Sequence, residues 1–237
     1  ALSRYIARHS AVAPGRKGQA LSAPVRSNQF GPHRRLPEVV RRHLETPWQG
    51  PIFEASRVAY RRFLSDWDGN RPLVLDSGCG TGASTALLAA QFPEAAVVGI
   101  DRSEARLKRF DKPMAQNMYL IRARAEDFWR LLHADGIHPA RHFLLYPNPW
   151  PKAAHLKRRW HGHPVFPELL ALGGALELRT NWRIYADEFR LAAGIRGIDA
   201  PRVVSFGVSS PSTPFERKYA ASGHRLYRLV LNLEESV

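Results

Sequence analysis

Pro72-Leu73-Val74-Leu75-Asp76-Ser77-Gly78-Cys79-Gly80-Thr81-Gly82 is the stretch on which the fold turns. Leu73, Val74 and Leu75 form a short apolar run that stops at an acid and then at three glycines. That pattern predicts a buried strand, a tight turn and a helix over Thr81–Ala90. Glycines let the backbone come close to a ligand, and the first N–H groups of the helix have no partners within it. Downstream, Ala96-Val97-Val98-Gly99-Ile100-Asp101 predicts a second strand tipped with an acid, well placed to hold two ribose hydroxyls. A glycine turn with a distal acid implies a nucleoside-like cofactor.

The glycine spacing differs from the dinucleotide fingerprint Gly-x-Gly-x-x-Gly, and no P-loop lysine follows it. Asp76-x-Gly78-Cys79-Gly80-Thr81-Gly82 instead resembles the first motif of class I S-adenosylmethionine-dependent methyltransferases. The resemblance implies S-adenosyl-L-methionine as cofactor, with the turn facing its methionine part and Asp101 holding its ribose.

The chain has 237 residues, 44% of them apolar, enough to fill the core of one α/β domain with an extension. Its net charge of +14 implies a polyanionic partner or a solvated basic surface, with nucleic acid the leading candidate. Residues 1–62 hold 12 Lys/Arg against 3 Asp/Glu, a net +9, which leaves +5 for the rest. Cys79 is the single cysteine, so no intrachain disulfide can form. With no apolar run of membrane-spanning length and no signal-peptide core at the start, a soluble, cytoplasmic protein is expected. A monomer is the favoured assembly.

Residues 1–35 mix arginines with Pro14, Gly15, Gly18, Pro24, Gly31 and Pro32, and read as a basic arm, mobile unless a partner orders it, that meets phosphates or serves only as a solubilising tail. Residues 36–237 form the methyltransferase domain, with N-terminal helices over 36–70 and a core over 71–237. Helical spacing of apolar residues covers Leu36–His43 and Phe53–Trp67. After Asp101 come a helix over Ser103–Phe110, a strand at Met118–Ile121, a turn and helix over Arg122–Leu132 and a strand at Arg141–Tyr146. A helix over Pro167–Leu172, a strand at Ala175–Thr180 and a helix over Tyr185–Ala193 follow, with Val203–Val208 and Leu226–Leu233 as a terminal antiparallel pair. The alternation predicts an α/β, Rossmann-like, doubly wound and mostly parallel sheet. Asp76, Asp101, Asn148 and Asn181 all fall at carboxyl ends of its strands, where such sheets bind ligands.

Tyr146-Pro-Asn-Pro-Trp-Pro-Lys-Ala-Ala-His-Leu-Lys-Arg-Arg159 resembles the Pro-Asp-Pro-Trp-x-Lys-x-x-His-x-Lys-Arg-Arg motif of the bacterial tRNA (guanine-N7)-methyltransferases. Gly173-Gly174-x-Leu176, Thr180-Asn181-Trp182 with Tyr185, and Thr213-x-Phe215-Glu216 followed by Gly223-His224 match the same family in order and spacing. The resemblance covers residues 70–233 and implies a tRNA guanine-N7 methyltransferase with tRNA as partner. Carried across by position, it puts Asp76, Gly78, Gly80, Gly82, Asp101 and Ala125 on the cofactor and Asn148 at the catalytic position. It puts Lys152, His155, Arg158, Asn181, Thr213, Phe215 and Glu216 on RNA or guanine. Three positions depart from the pattern: Asn148 and Asn181 replace aspartates, and Arg124 stands where an aspartate usually meets the adenine.

Two alternatives stand beside this one. Asn148-Pro149-Trp150-Pro151 is similar to the Asn-Pro-Pro-aromatic motif of amino-methyltransferases, with the aromatic one place early. A tRNA-binding paralogue that keeps the cofactor pocket without turnover is the other. Trp150 can serve either as core or as site. Lys157-Arg158-Arg159 reads as a cationic face, solvated or turned to RNA. His155, His161 and His163 lack a cysteine or carboxylate set at ligand spacing, so no metal is expected.

Overall fold

The computed structural model describes residues 22–209 and 211–233. Two helices lead in. In α1, Leu36–Glu45, Pro37 sits in the first turn, and Leu36, Val39 and Val40 recur on one buried face. In α2, Glu54–Asp66, Tyr60 and Phe63 do the same. The core then alternates: β1 Leu73–Ser77, α3 Ala83–Gln91, β2 Ala96–Asp101, α4 Glu104–Leu107, β3 Met118–Arg122, α5 Ala125–Ala134 and β4 Arg141–Leu145. Two 3-10 turns, Ala153–Arg158 and Trp160–Gly162, precede α6 Phe166–Ala171, β5 Ala175–Thr180, α7 Arg183–Ile195, β6 Val204–Phe206, α8 Pro214–Ala221 and β7 Leu226–Asn232.

The seven strands form one sheet in the order β3-β2-β1-β4-β5-β7-β6. β1 through β5 run parallel, and β7 joins antiparallel between β5 and β6. Every residue of β1 and β2 is buried, as expected of central parallel strands covered on both faces. Alternation sorts their side chains. Leu73 and Leu75 join the helices α1, α2, α5, α6 and α7 on one face, while Val74 and Val97 meet α3 residue Leu88 and β4 residue Phe143 on the other.

The strand order and the terminal antiparallel pair match the expected class, and most elements fall within a few residues of their predicted spans. Three differences have physical causes. The helix expected over Ser103–Phe110 shortens to α4: Ser103 caps it through Oγ to Arg106 N at 3.3 Å, but none of its residues is buried to sustain it. α8 was not predicted, although Thr213 caps its start by accepting from Glu216 N, and Glu216 reaches back to Ser212 N just before the cap. The arm also needs correction. Residues 1–21 lie outside the described residues, whereas residues 22–35 are held against the domain: Ser27 Oγ donates to Pro151 O at 2.6 Å, and Ser22 N donates to Ser222 Oγ at 2.9 Å. Among the described residues no helix is long and apolar enough to cross a membrane.

Buried histidines set the acid sensitivity of this fold. Burial pushes His142 down to about 3, and burial with the charge of His43 pushes His163 down to about 4. These rings stay neutral in the folded protein and take protons on unfolding. Their contribution is full above the ordinary histidine value of about 6.5 and is lost as pH falls toward the folded values. Asp76, raised to about 6 by burial, offsets part of the loss because its folded form binds a proton more readily. Urea unfolding should therefore show a stability roughly 2–4 kcal/mol lower at pH 5 than at pH 7.

Candidate functional site

The turn after β1 is pinned from below. Gly78 N and Cys79 N both donate to Ile100 O, at 2.8 and 3.0 Å, so the turn rests on β2. Gly82 at φ +81° caps α3 and delays its start by two residues relative to the sequence expectation. Gly80, at φ +64°, faces open space: a Cβ built there meets nothing within 4 Å. Gly78 shares that openness.

Asp101 ties the two strand ends together. Its Oδ2 accepts from Gly80 N at 3.0 Å, and its Oδ1 accepts from Ser103 N at 2.7 Å and Arg106 Nη2 at 2.8 Å. The carboxylate is buried, whereas Arg106 is half-exposed. Asp76 points into the turn instead, accepting from Ser84 Oγ at 2.6 Å and Thr85 Oγ1 at 2.7 Å. Burial raises its carboxyl to about 6 against those two hydrogen bonds, with Asp101 adding to the rise. Ala125 opens α5 beside Arg124, whose guanidinium lies 3.3 Å from the ring centre of half-exposed Phe53.

The segment after β4 carries strain. Tyr146 has φ +54° and Trp150 has φ +45°, a region that bulky residues rarely occupy and that persists only where the surroundings impose it. The surroundings here are identifiable. Arg159, fully buried, donates from Nε and Nη2 to Trp150 O at 3.2 and 3.1 Å and from Nη2 to Lys152 O at 3.2 Å. Its Nη1 meets Glu188 Oε2 of α7 at 2.5 Å, and neither side chain reaches solvent. Burial alone would raise the Glu188 carboxyl, but His161 and Arg159 outweigh it and hold it at about 2. Arg159 is therefore a clamp, which corrects its place in the expected cationic face, while Lys157 and Arg158 remain exposed.

Around this loop the exposed groups converge. Asn148 is exposed, with Oδ1 accepting from Trp150 N at 3.3 Å. Arg158 lies over the Trp150 ring at 4.8 Å, His155 meets the same ring edge-on at 5.5 Å, and Lys152 is exposed next to them. Asn181, at the end of β5, donates from Nδ2 to His224 Nδ1 at 3.1 Å, and His224 Nε2 donates to Ser22 O at 2.9 Å.

The Thr213–Glu216 group divides. Thr213 Oγ1 accepts from Glu216 N at 2.8 Å as the helix cap. Glu216, 1% exposed, accepts from Tyr146 Oη at 2.8 Å, Arg179 Nη1 at 3.1 Å and Ser212 N at 2.5 Å. Both residues thus bond inward and fasten α8 to the ends of β4 and β5, while Phe215 stays half-exposed. An aromatic ladder, Phe215–Tyr219–His224, runs from there to Asn181. Among the described residues no group of histidine, cysteine and carboxylate side chains is placed to hold a metal ion.

Residues 70–229 match the family described as "Putative methyltransferase". The tRNA (guanine-N(7)-)-methyltransferase of Burkholderia cenocepacia is 30% identical over 199 residues, covering 76% of this chain and 75% of that one. The protein of the same name from Mycobacterium avium is 33% identical over 187 residues, covering 73% and 71%. This chain belongs to the tRNA (guanine-N(7)-)-methyltransferase family. A further family member of that name, from Halorhodospira halophila, is 31% identical over 223 residues, covering 84% of this chain and 91% of its own.

Solved structures of methyltransferases share this fold. A 16S rRNA (adenine(1408)-N(1))-methyltransferase from Catenulisporales acidiphilia, solved with cosubstrate SAM, aligns at a TM-score of 0.54 and 18% identity, over 75% of this chain and 92% of that one. An antibiotic-related methyltransferase aligns at 0.54 and 16%, over 77% and 96%. Sequence reasoning named Arg159 but gave it an outward face, and it missed Glu188 and Gln29. Their signal was only a Glu and a Gln of ordinary appearance, far from the motif in sequence.

The clamp yields a direct test. Glu188→Ala leaves the Arg159 charge buried and unpaired, and should cost about 3–5 kcal/mol in urea unfolding. Replacing Arg159 and Glu188 together with Met and Leu should recover much of that cost, because the buried charge goes too.

Proposed function

We propose that this protein transfers a methyl group from S-adenosyl-L-methionine to N7 of a guanine in tRNA. The supporting observation is the Tyr146–Arg159 segment, cationic outward and clamped inward, at the end of the strand next to β1 and its glycine turn. The named relatives supply the substrate class. The exocyclic-amine alternative is not favoured, since all three carry the guanine-N7 name.

The residues present suit the cofactor. The open space over Gly78 and Gly80 lets the backbone lie against it, and Asp101 is positioned for two ribose hydroxyls if its half-exposed partner Arg106 gives way. Ala125 and the Phe53–Arg124 stack would border its base, and Asp76 supports the turn from behind. When bound, the cofactor supplies an electrophilic methyl group on a sulfonium. Guanine N7 attacks through a lone pair and has no proton to lose, so the protein has to align and stabilise and needs no strong base. Asn148 sits on a loop that the Arg159 clamp holds still, which suits alignment, but its amide carries no charge to offset the cation formed on the methylated ring. Lys152 and Arg158 stand ready for RNA phosphates.

Incubation with labelled cofactor and bulk tRNA should place label in 7-methylguanosine on nucleoside analysis. Label in any other nucleoside, or none, would remove this reading. Asp101→Ala should weaken cofactor binding by about 1–3 kcal/mol in calorimetry, through lost hydrogen bonds to a charged acceptor. Asn148→Asp should raise the N7 rate about tenfold, because it sets a fixed charge beside the forming cation, which counts for more once bound RNA shuts water out of this exposed loop.

A further inference from the structure

Residues 24–35 alternate. Val25, Ser27, Gln29, Gly31 and His33 are partly buried, and the residues between them, Arg26, Asn28, Phe30, Pro32 and Arg34, are exposed. The inward set is fastened to the clamp. Gln29 Nε2 donates to Glu188 Oε1 at 2.5 Å and to Gly31 O at 2.7 Å, and Arg159 Nη2 donates to Gln29 Oε1 at 3.1 Å. His33 N donates to the same Glu188 oxygen at 2.7 Å, and Gln29 N donates to Ser27 Oγ at 3.0 Å. On the outward side of this held loop stands Phe30, 100% exposed.

A bare phenylalanine is unremarkable on a fraying end, but here Gln29 on one side of the ring and His33 three residues beyond it are anchored on a fully buried ion pair, and Gly31 O is bound to Gln29. An apolar ring on a tethered backbone, with a cation four residues away on each side, fits a nucleotide: the ring offers a face for a base, and Arg26 and Arg34 offer charge to the phosphates on either side. The charge of the chain agrees, since the first 62 residues hold most of its net positive charge. Position agrees as well. The guanidinium that holds Gln29 also holds Trp150 O and Lys152 O, so Phe30 and the Asn148 loop are set by one group.

We propose that Phe30 is a stacking platform for an unstacked base of the tRNA, with Arg26 and Arg34 on the adjoining phosphates. This rests on the tRNA reading above and adds to it a contact made by face-to-face stacking. It discriminates folded RNA that can splay a base from regular duplex.

The test is equilibrium binding of labelled tRNA to the full chain, with Phe30→Ala, Phe30→Leu and Phe30→Trp beside the wild type. Phe30→Ala should weaken binding about tenfold with an unchanged salt slope, because no phosphate contact is removed. Phe30→Leu should stay weak and Phe30→Trp should recover affinity, while cofactor binding and the urea midpoint stay constant in all three. Phe30→Ala binding like wild type, or Phe30→Leu recovering as well as Phe30→Trp, would overturn the platform. The two readings fail separately. A wild type that methylates tRNA while Phe30→Ala binds normally removes only the platform, and a wild type that binds tRNA in a Phe30-dependent way without transfer removes only the enzyme.

Discussion

One buried ion pair, Arg159 with Glu188, holds together three parts of the chain that are far apart in sequence. Through it the N-terminal segment reaches by Gln29 and His33, the loop after β4 reaches by two carbonyls, and α7 contributes the carboxylate. Such a pair is a weak source of net stability, since taking two charges out of water costs about as much as their attraction returns. What it supplies is geometry. An apolar pair could fill the same space, but it could not accept from a backbone N–H on one side and donate to two carbonyls on the other.

That geometry is what the strained loop requires. Tyr146 and Trp150 hold left-handed backbone conformations that cost of order 1–3 kcal/mol each. Each is fixed from a different direction. Tyr146 is drawn by its hydroxyl to Glu216, and Trp150 is gripped by its carbonyl and covered by Arg158. Between them stands Asn148, exposed on a short stretch whose two ends cannot relax independently. Strain held this way trades stability for a fixed side-chain position, which suits a reaction that needs alignment more than proton transfer.

The fold was legible because its signals are local and repeated. Leu73–Leu75 ending in Asp76, or Ala96–Ile100 ending in Asp101, can be read only as buried strands with acids at their tips, and the sheet followed from their alternation with helices. The site was legible to the level of which segment, and less so to the level of which atom. Lys157, Arg158 and Arg159 are indistinguishable in sequence; only Glu188, 29 residues on, makes the third a buried clamp. Thr213 and Glu216 looked outward as part of a motif, yet a threonine followed by a glutamate three places on is also the sequence signature of a helix start, and the inward bonds prevail. The segment 22–35 lacks apolar periodicity, so nothing in its composition shows that Gln29 would find two charged partners.

The two asparagines gain meaning from this arrangement. Asn181 lies in a hydrogen-bonded chain to His224 and on to Ser22 O, in which the imidazole accepts at Nδ1 and donates at Nε2. An amide completes that chain with a neutral ring, because its Nδ2 donates where a carboxylate could only accept. Asn181 therefore fits the docking of the N-terminal segment, and its exchange for an acid belongs with that docking as one structural feature. Asn148 has no such neighbour. Its Oδ1 serves the backbone of its own turn, a role an aspartate fills equally well, so the loop geometry does not depend on the amide. The missing charge at Asn148 is then felt by whatever faces the loop, and the fold itself is indifferent to it.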